Sequence, residues 1–330
     1  MREPAFWWRE AGLAATLLAP AAACYGAIAA WRMAQTRVSN GLPVICVGNF
    51  TLGGAGKTPA AISIATMLTE IGERPFCLSR GYGGSEAGPK LVDAGADSAA
   101  KVGDEALLLV RAAPAIISHN RPAGMALAGA QGASVIVMDD GLQNPSLAKD
   151  FAIAVIDGRR GIGNGKVFPA GPLRAPLAAQ ITRTDALLLV GDGDIPRDIL
   201  SRTPSLPIYH GRLVPDTAAL VQLRGQRVLA FAGIGTPEKF FATARAAGVD
   251  VVRHRSFPDH HRFTAADASD LIAAAERDGL TLLTTAKDRA RMSGEPDNAT
   301  LAARAQVLPV TMEIAERDEF RARIVQALKR

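Results

Sequence analysis

From Leu42 onward the chain alternates short apolar runs with stretches whose apolar residues recur at helical spacing. The runs are rich in Val, Ile and Leu and are bounded by Gly, Asp or Pro, a pattern that predicts buried strands rather than helices. They fall at Val44–Gly48, Pro75–Ser79, Ala115–Ser118, Val135–Met138, Phe151–Ile156 and Ala186–Val190. Strands that alternate with helices favour a parallel sheet, because each crossover between parallel neighbours needs a connection that a helix supplies. A second series follows: a strand at Arg227–Ala232, a helix from Pro237, a strand near Val251 and a helix over Ala265–Arg277. It continues with strands at Leu280–Thr284 and Gln306–Val310 and an amphipathic helix from Glu319. With 330 residues the chain suits two domains. The pattern divides it into a core domain over 41–212 and a smaller α/β domain over 213–330, with the change of unit near 210–226.

The first 40 residues break this rhythm. Ala11–Trp31 carries no charge, is bounded by Arg9, Glu10 and Arg32, and has Trp7, Trp8 and Trp31 near its ends. Such a segment predicts an N-terminal membrane-associated helix, with the tryptophans at the headgroup layer. About 20 apolar residues are needed to cross a bilayer, so both spanning and lying within one leaflet stay open, and Pro20 and the many alanines suit the second. Glu10 and the nucleotide-type motif that soon follows argue against a cleaved signal peptide.

Composition adds little to this picture. Thirty-seven Lys and Arg against 32 Asp and Glu leave a net charge of +5, which suits an anionic substrate or surface and falls short of a nucleic-acid binder. Cys24, Cys46 and Cys77 stand singly among apolar neighbours and read as small buried hydrophobes in a reducing compartment.

The chemistry lies at the ends of the predicted strands, where open α/β sheets collect ligands. Val44–Gly48 runs into Thr51-Leu52-Gly53-Gly54-Ala55-Gly56-Lys57-Thr58, a glycine-rich turn that opens a helix. This is a phosphate cradle: backbone N–H groups surround the anion, Lys57 reaches the terminal phosphates, and the Thr58 hydroxyl suits Mg²⁺. Thr51 stands where the strict pattern has glycine, and Leu52 where the deviant P-loop ATPases carry a signature lysine. Val135–Met138 delivers Asp139 and Asp140, carboxylates of the kind that hold the metal beside the phosphates. Asp104 follows Gly103 at the first turn of a helix, as an N-cap or as the carboxylate a kinase needs for a hydroxyl proton. Arg80 and Tyr82, in the glycine-rich Ser79–Gly84, and Arg174, in the loop Pro169–Arg174, offer cations and a phenol to phosphate or sugar. Asp259, His260 and His261 sit at the start of a helical pattern. Adjacent histidines diverge, which argues against zinc and leaves one free to support a carboxylate. The expected fold class is therefore α/β: a P-loop-NTPase-like, mainly parallel sheet with a second, smaller α/β domain and the N-terminal membrane-associated helix.

Taken in order, GGAGKTP at 53–59, SRGYGG at 79–84, GDE at 103–105, DDGLQ at 139–143, PAGPLR at 169–174, FPDH at 257–260 and TTAKD at 284–288 resemble the tetraacyldisaccharide 4′-kinase family of lipid A biosynthesis. The resemblance implies transfer of the ATP γ-phosphate, with Mg²⁺, to the 4′-hydroxyl of a lipid A disaccharide precursor at the cytoplasmic face of a bacterial inner membrane. It implies no nucleic acid and no protein partner. Asp104 resembles the general base, His260 its orienting partner, and Lys57 the group that stabilises the migrating phosphoryl. Thr51 through Thr58 would hold the nucleotide, Thr58, Asp139 and Asp140 the metal, and Arg80, Tyr82, Arg121 and Arg174 the substrate. Ala175 stands where the family often has Glu, and TTAKD carries an alanine beyond the usual TTKD, which leaves Lys287 and Asp288 unassigned.

Two other classes compete. A membrane-tethered P-loop ATPase or GTPase switch would need a base-recognition motif such as NKxD, which the sequence lacks. A nucleotide-binding scaffold without turnover would place Asp104 and His260 away from the phosphates.

Overall fold

The computed structural model describes residues 3–35, 38, 41–193, 197–201 and 206–329, so the junction expected at residue 40 lies outside the described residues. Its strands are β1 (Val44–Gly48), β2 (Pro75–Ser79), β3 (Lys90–Leu91), β4 (Ala115–Ile117), β5 (Val135–Asp139), β6 (Phe151–Asp157) and β7 (Ala186–Val190). They continue with β8 (Ile208–Pro215), β9 (Arg227–Ala232), β10 (Asp250–Ser256), β11 (Thr281–Thr284), β12 (Gln306–Val307) and β13 (Val310–Ile314). One sheet has the order β13-β8-β7-β6-β1-β5-β2-β4-β3, and a smaller one the order β10-β9-β11-β12. The large sheet is parallel from β4 to β8, with antiparallel β3 and β13 at its two edges. Every residue of β1, β2, β4, β5 and β7 is buried, the mark of strands covered on both faces, which is why these segments read as continuous apolar runs. Alternate residues feed two cores. Ile45, Val47, Val135 and Val137 join Ile64 and Leu68 on one face, while Val44, Cys46, Ile136 and Met138 join Met125 and Leu147 on the other.

The expected division at 213 does not hold at the C-terminal end. The apolar run Gln306–Val310 is split, with β12 pairing to β11 in the small sheet and β13 pairing antiparallel to β8 in the large one. The helix Arg317–Leu328 then lays Phe320 against Tyr209, so residues beyond 309 return to the first unit. Pro309 stands between the two short strands, and a residue without an N–H is a natural place for the chain to leave a ladder.

The N-terminal segment folds as a 3₁₀ turn, Ala5–Trp8, and two helices, Leu13–Leu17 and Ala19–Met33. Pro20 in the first turn of the second helix cannot continue the hydrogen bonds of the first. Among the described residues no helix is long and apolar enough to cross a membrane, so the spanning alternative is not supported. Two of the three tryptophans expected at a headgroup layer are turned inward. Trp7 is buried and donates from Nε1 to the Pro169 carbonyl at 3.0 Å, and Trp8 lies under the Arg160 guanidinium at 4.6 Å. Trp31 is exposed, with Leu13, Leu17 and Ile28. Cys24 is exposed as well, contrary to its expected burial, because it lies off the face of the helix Ala19–Met33 that buries Ala22, Gly26 and Met33.

Candidate active site

The phosphate loop follows β1 and leads into the helix Lys57–Glu70. Gly56 caps that helix with φ +94°, a left-handed conformation that a side chain would strain. The loop is braced from the side: the Leu52 N–H donates to the Pro172 carbonyl at 2.8 Å, and Arg174 Nε donates to the Thr51 carbonyl at 2.9 Å. Gly53, Gly54, Ala55 and Gly56 line one wall of a cleft of about 960 Å³. Lys57, Thr58, Arg80, Tyr82, Arg121, Asp139, Asp140, Arg174 and His260 open into the same cleft.

β5 lies beside β1, with Val47 in register with Asp139, and this brings the second motif to the first. Thr58 Oγ1 donates to Asp139 Oδ2 at 3.0 Å, while Asp139 Oδ1 is buried without a hydrogen-bond partner. Asp140, at φ +54°, turns off the strand end, where Lys57 Nζ stands 3.6 Å from Oδ1 and Arg174 Nη1 3.1 Å from Oδ2. The two neighbours differ electrostatically. Burial, reinforced by Glu105 and Asp140, pushes the Asp139 carboxyl up to about 7. Burial acts on Asp140 too, but Lys57 and Arg174 outweigh it and hold that carboxyl below the usual range. Two carboxylates and a hydroxyl, with Oδ1 of each carboxylate buried and without a hydrogen-bond partner, form a donor set that fits a hard divalent cation. Among the described residues no three His, Cys, Asp or Glu side chains converge as a metal cage, and Mg²⁺ beside phosphates needs only one or two carboxylates.

Asp104 is the first residue of the helix Asp104–Leu109; the cap position belongs to Gly103, so the N-cap reading does not describe it. It is buried, and His260 Nδ1 lies 3.3 Å from its Oδ2. Burial opposes its charge, but the hydrogen bond from His260 and the positive charges of Lys287 and Arg291 prevail and hold it well below the usual carboxylate range. His260 reaches this position from a turn, not from the helix start its sequence suggested: that helix begins at Ala265, and His260 has φ +55°. The adjacent histidines do diverge, His261 Nε2 lying 2.9 Å from Asp267 Oδ2. The Tyr82 ring meets that of His260 edge-on at 5.0 Å. Arg80 is exposed at the cleft rim. Arg121 is buried at the start of the helix Arg121–Ala130, and its Nη1 has no hydrogen-bond partner.

The structure thus brings together residues from both sheets. Lys57, Thr58, Asp104, Asp139 and Asp140 come from the large sheet unit, and His260 from a loop after β10. Several neighbours went unassigned in the sequence. Glu105 receives Lys287 Nζ at 3.1 Å, Asp259 Oδ2 lies 3.9 Å from His260 Nε2, and Arg291 ion-pairs with Asp104. Glu105 and Asp259 stand inside named motifs, and Lys287 in the TTAKD stretch that its extra alanine left aside; Arg291 carries no local signal.

Comparison with known proteins points one way. Residues 14–329 match the family model described as tetraacyldisaccharide-1-P 4′-kinase. A tetraacyldisaccharide 4′-kinase of Rhodopseudomonas palustris (strain BisB5) is 51% identical over 330 residues, 99% of this chain and 97% of that protein. Another from Methylobacterium sp. (strain 4-46) is 53% identical over 334 residues, 100% of this chain and 98% of that protein. The crystal structure of LpxK from Aquifex aeolicus in complex with ATP superposes with a TM-score of 0.74 at 24% identity, covering 95% of this chain and 99% of that one, and shares the fold.

Proposed function

The chain belongs to the tetraacyldisaccharide-1-P 4′-kinase family, and from that premise we propose how its residues transfer the γ-phosphate of ATP to the 4′-hydroxyl of a tetraacyldisaccharide 1-phosphate. The observation that carries the reading is that His260, which lines the same cleft as Lys57, stands 3.3 Å from the buried carboxylate of Asp104, just behind the cleft wall formed by Glu105. The loop Thr51–Thr58 grips the triphosphate through backbone N–H groups, and Lys57 offsets charge on the phosphoryl group as it moves. The acceptor O4′–H bond breaks with its proton going to Asp104, the O4′–Pγ bond forms, and the bond from Pγ to the β,γ-bridging oxygen breaks to release ADP. A carboxylate kept as ionised as Asp104 is a weak base, which suits a loose transition state in which the proton leaves late and orientation matters most. His260 fixes the direction of that carboxylate. Thr58, Asp139 and Asp140 would hold Mg²⁺, which when bound neutralises phosphate charge. Arg80, Tyr82, Arg121 and Arg174 contact the sugar phosphate, and the unpartnered Nη1 of buried Arg121 supports an anion there.

The acceptor keeps its acyl chains in a bilayer, so only its headgroup enters the cleft. Tyr25, Ala29 and Arg32 of the N-terminal helix line that cleft, while Leu13, Leu17, Ile28 and Trp31 are exposed. This supports a helix that lies in one leaflet of the inner membrane, on its cytoplasmic side, and hands the headgroup to the cleft. A switch that phosphorylates nothing is the weaker reading, since it has no use for a buried carboxylate paired with a histidine of the cleft that holds the phosphate loop.

The test is transfer of label from ATP to a disaccharide 1-phosphate lipid with Mg²⁺ present. Asp104→Ala is expected to lose about 10²- to 10⁴-fold in kcat while still binding ATP. Undiminished transfer by that variant would remove Asp104 from the reaction.

A further inference from the structure

The TTAKD stretch reaches the site through Lys287, while Thr285, Asp288 and the rest of its helix have been given no role so far. Thr285 caps the helix Ala286–Met292: its Oγ1 accepts from the Asp288 N–H at 3.0 Å and donates to Asp288 Oδ2 at 2.6 Å. The fully buried Asp288 then accepts at Oδ1 from the Gly233 N–H at 3.0 Å and from Arg291 Nη1 at 2.9 Å. Arg291, one turn further along the helix, is buried between two carboxylates, with Nε donating to Asp104 Oδ2. Its Nη1 also donates to the Gly233 carbonyl at 2.5 Å, and that carbonyl accepts from the His260 N–H at 3.1 Å. One guanidinium therefore touches the carboxylate of Asp104 and the backbone group that anchors His260. For stability alone, a buried ion network is no better than apolar side chains of the same volume.

We infer that Arg291, held by Asp288, is a positioning residue that aligns the Asp104–His260 pair. Its bond fixes Oδ2 of Asp104 and leaves Oδ1, which is buried without a partner, to accept the hydroxyl of the incoming sugar. Lys287 extends the same device by binding Glu105, so one short helix of the smaller unit engages both acidic residues that follow Gly103. Asp104 belongs to the large sheet unit, whereas Arg291 and His260 belong to the smaller one, so the constellation exists only when the two units face each other. The inference rests on Asp104 being the base.

The experiment compares full-length wild type, Arg291→Ala, Arg291→Lys and Asp104→Ala in label transfer from ATP to the disaccharide 1-phosphate lipid. Arg291→Ala is expected to lose about 100-fold in kcat, the size of effect that misplacement by an ångström brings, with KM for ATP within about threefold of wild type. Guanidinium at about 50 mM should restore at least about tenfold of that loss, and urea, its neutral isostere, should restore none, because the missing group is a charged planar donor. Arg291→Lys should keep more activity than Arg291→Ala. Near-normal kcat in Arg291→Ala, equal recovery with urea, or a loss carried by KM for ATP would each overturn the inference. If thermal unfolding shows that Arg291→Ala does not fold, Arg291→Lys is compared with Arg291→Gln: higher kcat for Lys at unchanged KM supports the role, and equal kcat overturns it. An inactive Asp104→Ala beside an active Arg291→Ala removes this inference alone, whereas an active Asp104→Ala removes the base assignment as well.

Discussion

Gly103 shows how a single residue sets the site. With φ +84°, it leads directly into Asp104, and a Cβ built there would stand 2.6 Å from the Tyr82 carbonyl oxygen. Gly103→Ala should therefore cost about 1–3 kcal/mol in urea unfolding, from the strained backbone alone. It should also lower kcat, because relieving the clash moves either Asp104 or the loop that carries Tyr82. The GDE motif was visible in the sequence, and so was the carboxylate. Its partners lie far off in the chain: His260, 156 residues away, was reached only through the family resemblance, and Arg291, 187 away, was not reached at all. No local pattern links such positions. What the sequence offered instead was residue type, a carboxylate where a proton must be received.

Elements explain why most of the strands were readable and why some ends were not. The helix Ala265–Asp278 begins at a capping box: Thr264 Oγ1 accepts from the Asp267 N–H at 3.1 Å, and Asp267 Oδ2 accepts from the Thr264 N–H at 3.0 Å. Thr264→Ala should cost about 1 kcal/mol of stability at neutral pH, measured by urea unfolding. Burial works against the Asp267 charge, but the bonds from Thr264 and His261 hold its carboxyl below the usual range. A carboxyl depressed in the folded state stabilises above its unfolded pKa, about 3.9, and that contribution fades as pH falls further. The penalty of Asp267→Asn is thus expected to be full at pH 7 and to shrink below about pH 4; a penalty independent of pH would mean that the charge is irrelevant. The N-terminal helix offers a different test. Changing exposed Ile28 and Trp31 together to Ser should weaken binding to anionic vesicles by at least about tenfold, given about 1.5–3 kcal/mol for burying one large apolar side chain. ATP binding should be unaffected.

At the scale of the whole molecule, the return of the chain to the large sheet matters most. Phe320 is fully buried against Tyr209, so Phe320→Ala should destabilise the protein by about 3–5 kcal/mol in urea unfolding. Were residues 310–329 merely the end of the smaller unit, β7 and β8 would keep their protection from hydrogen exchange in that variant; the expectation is that they lose it. Beside His260 with Asp104, ion pairs among the described residues that cross between the units include Lys239 with Asp157, Lys287 with Glu105 and Arg291 with Asp104. The sequence alone determined the strand–helix alternation, the phosphate loop, the strand that ends at Asp139, and the family resemblance, because each is written within a short stretch whose apolar spacing or turn chemistry is local. Only the tertiary structure decided that Gln306–Val310 divides between two sheets, that Trp7 faces inward, and that Arg291 meets Asp104. The physical reason is that a side chain's environment depends on elements far away along the chain, and the same apolar residue satisfies a core, an edge strand or a lipid surface equally well until packing selects one.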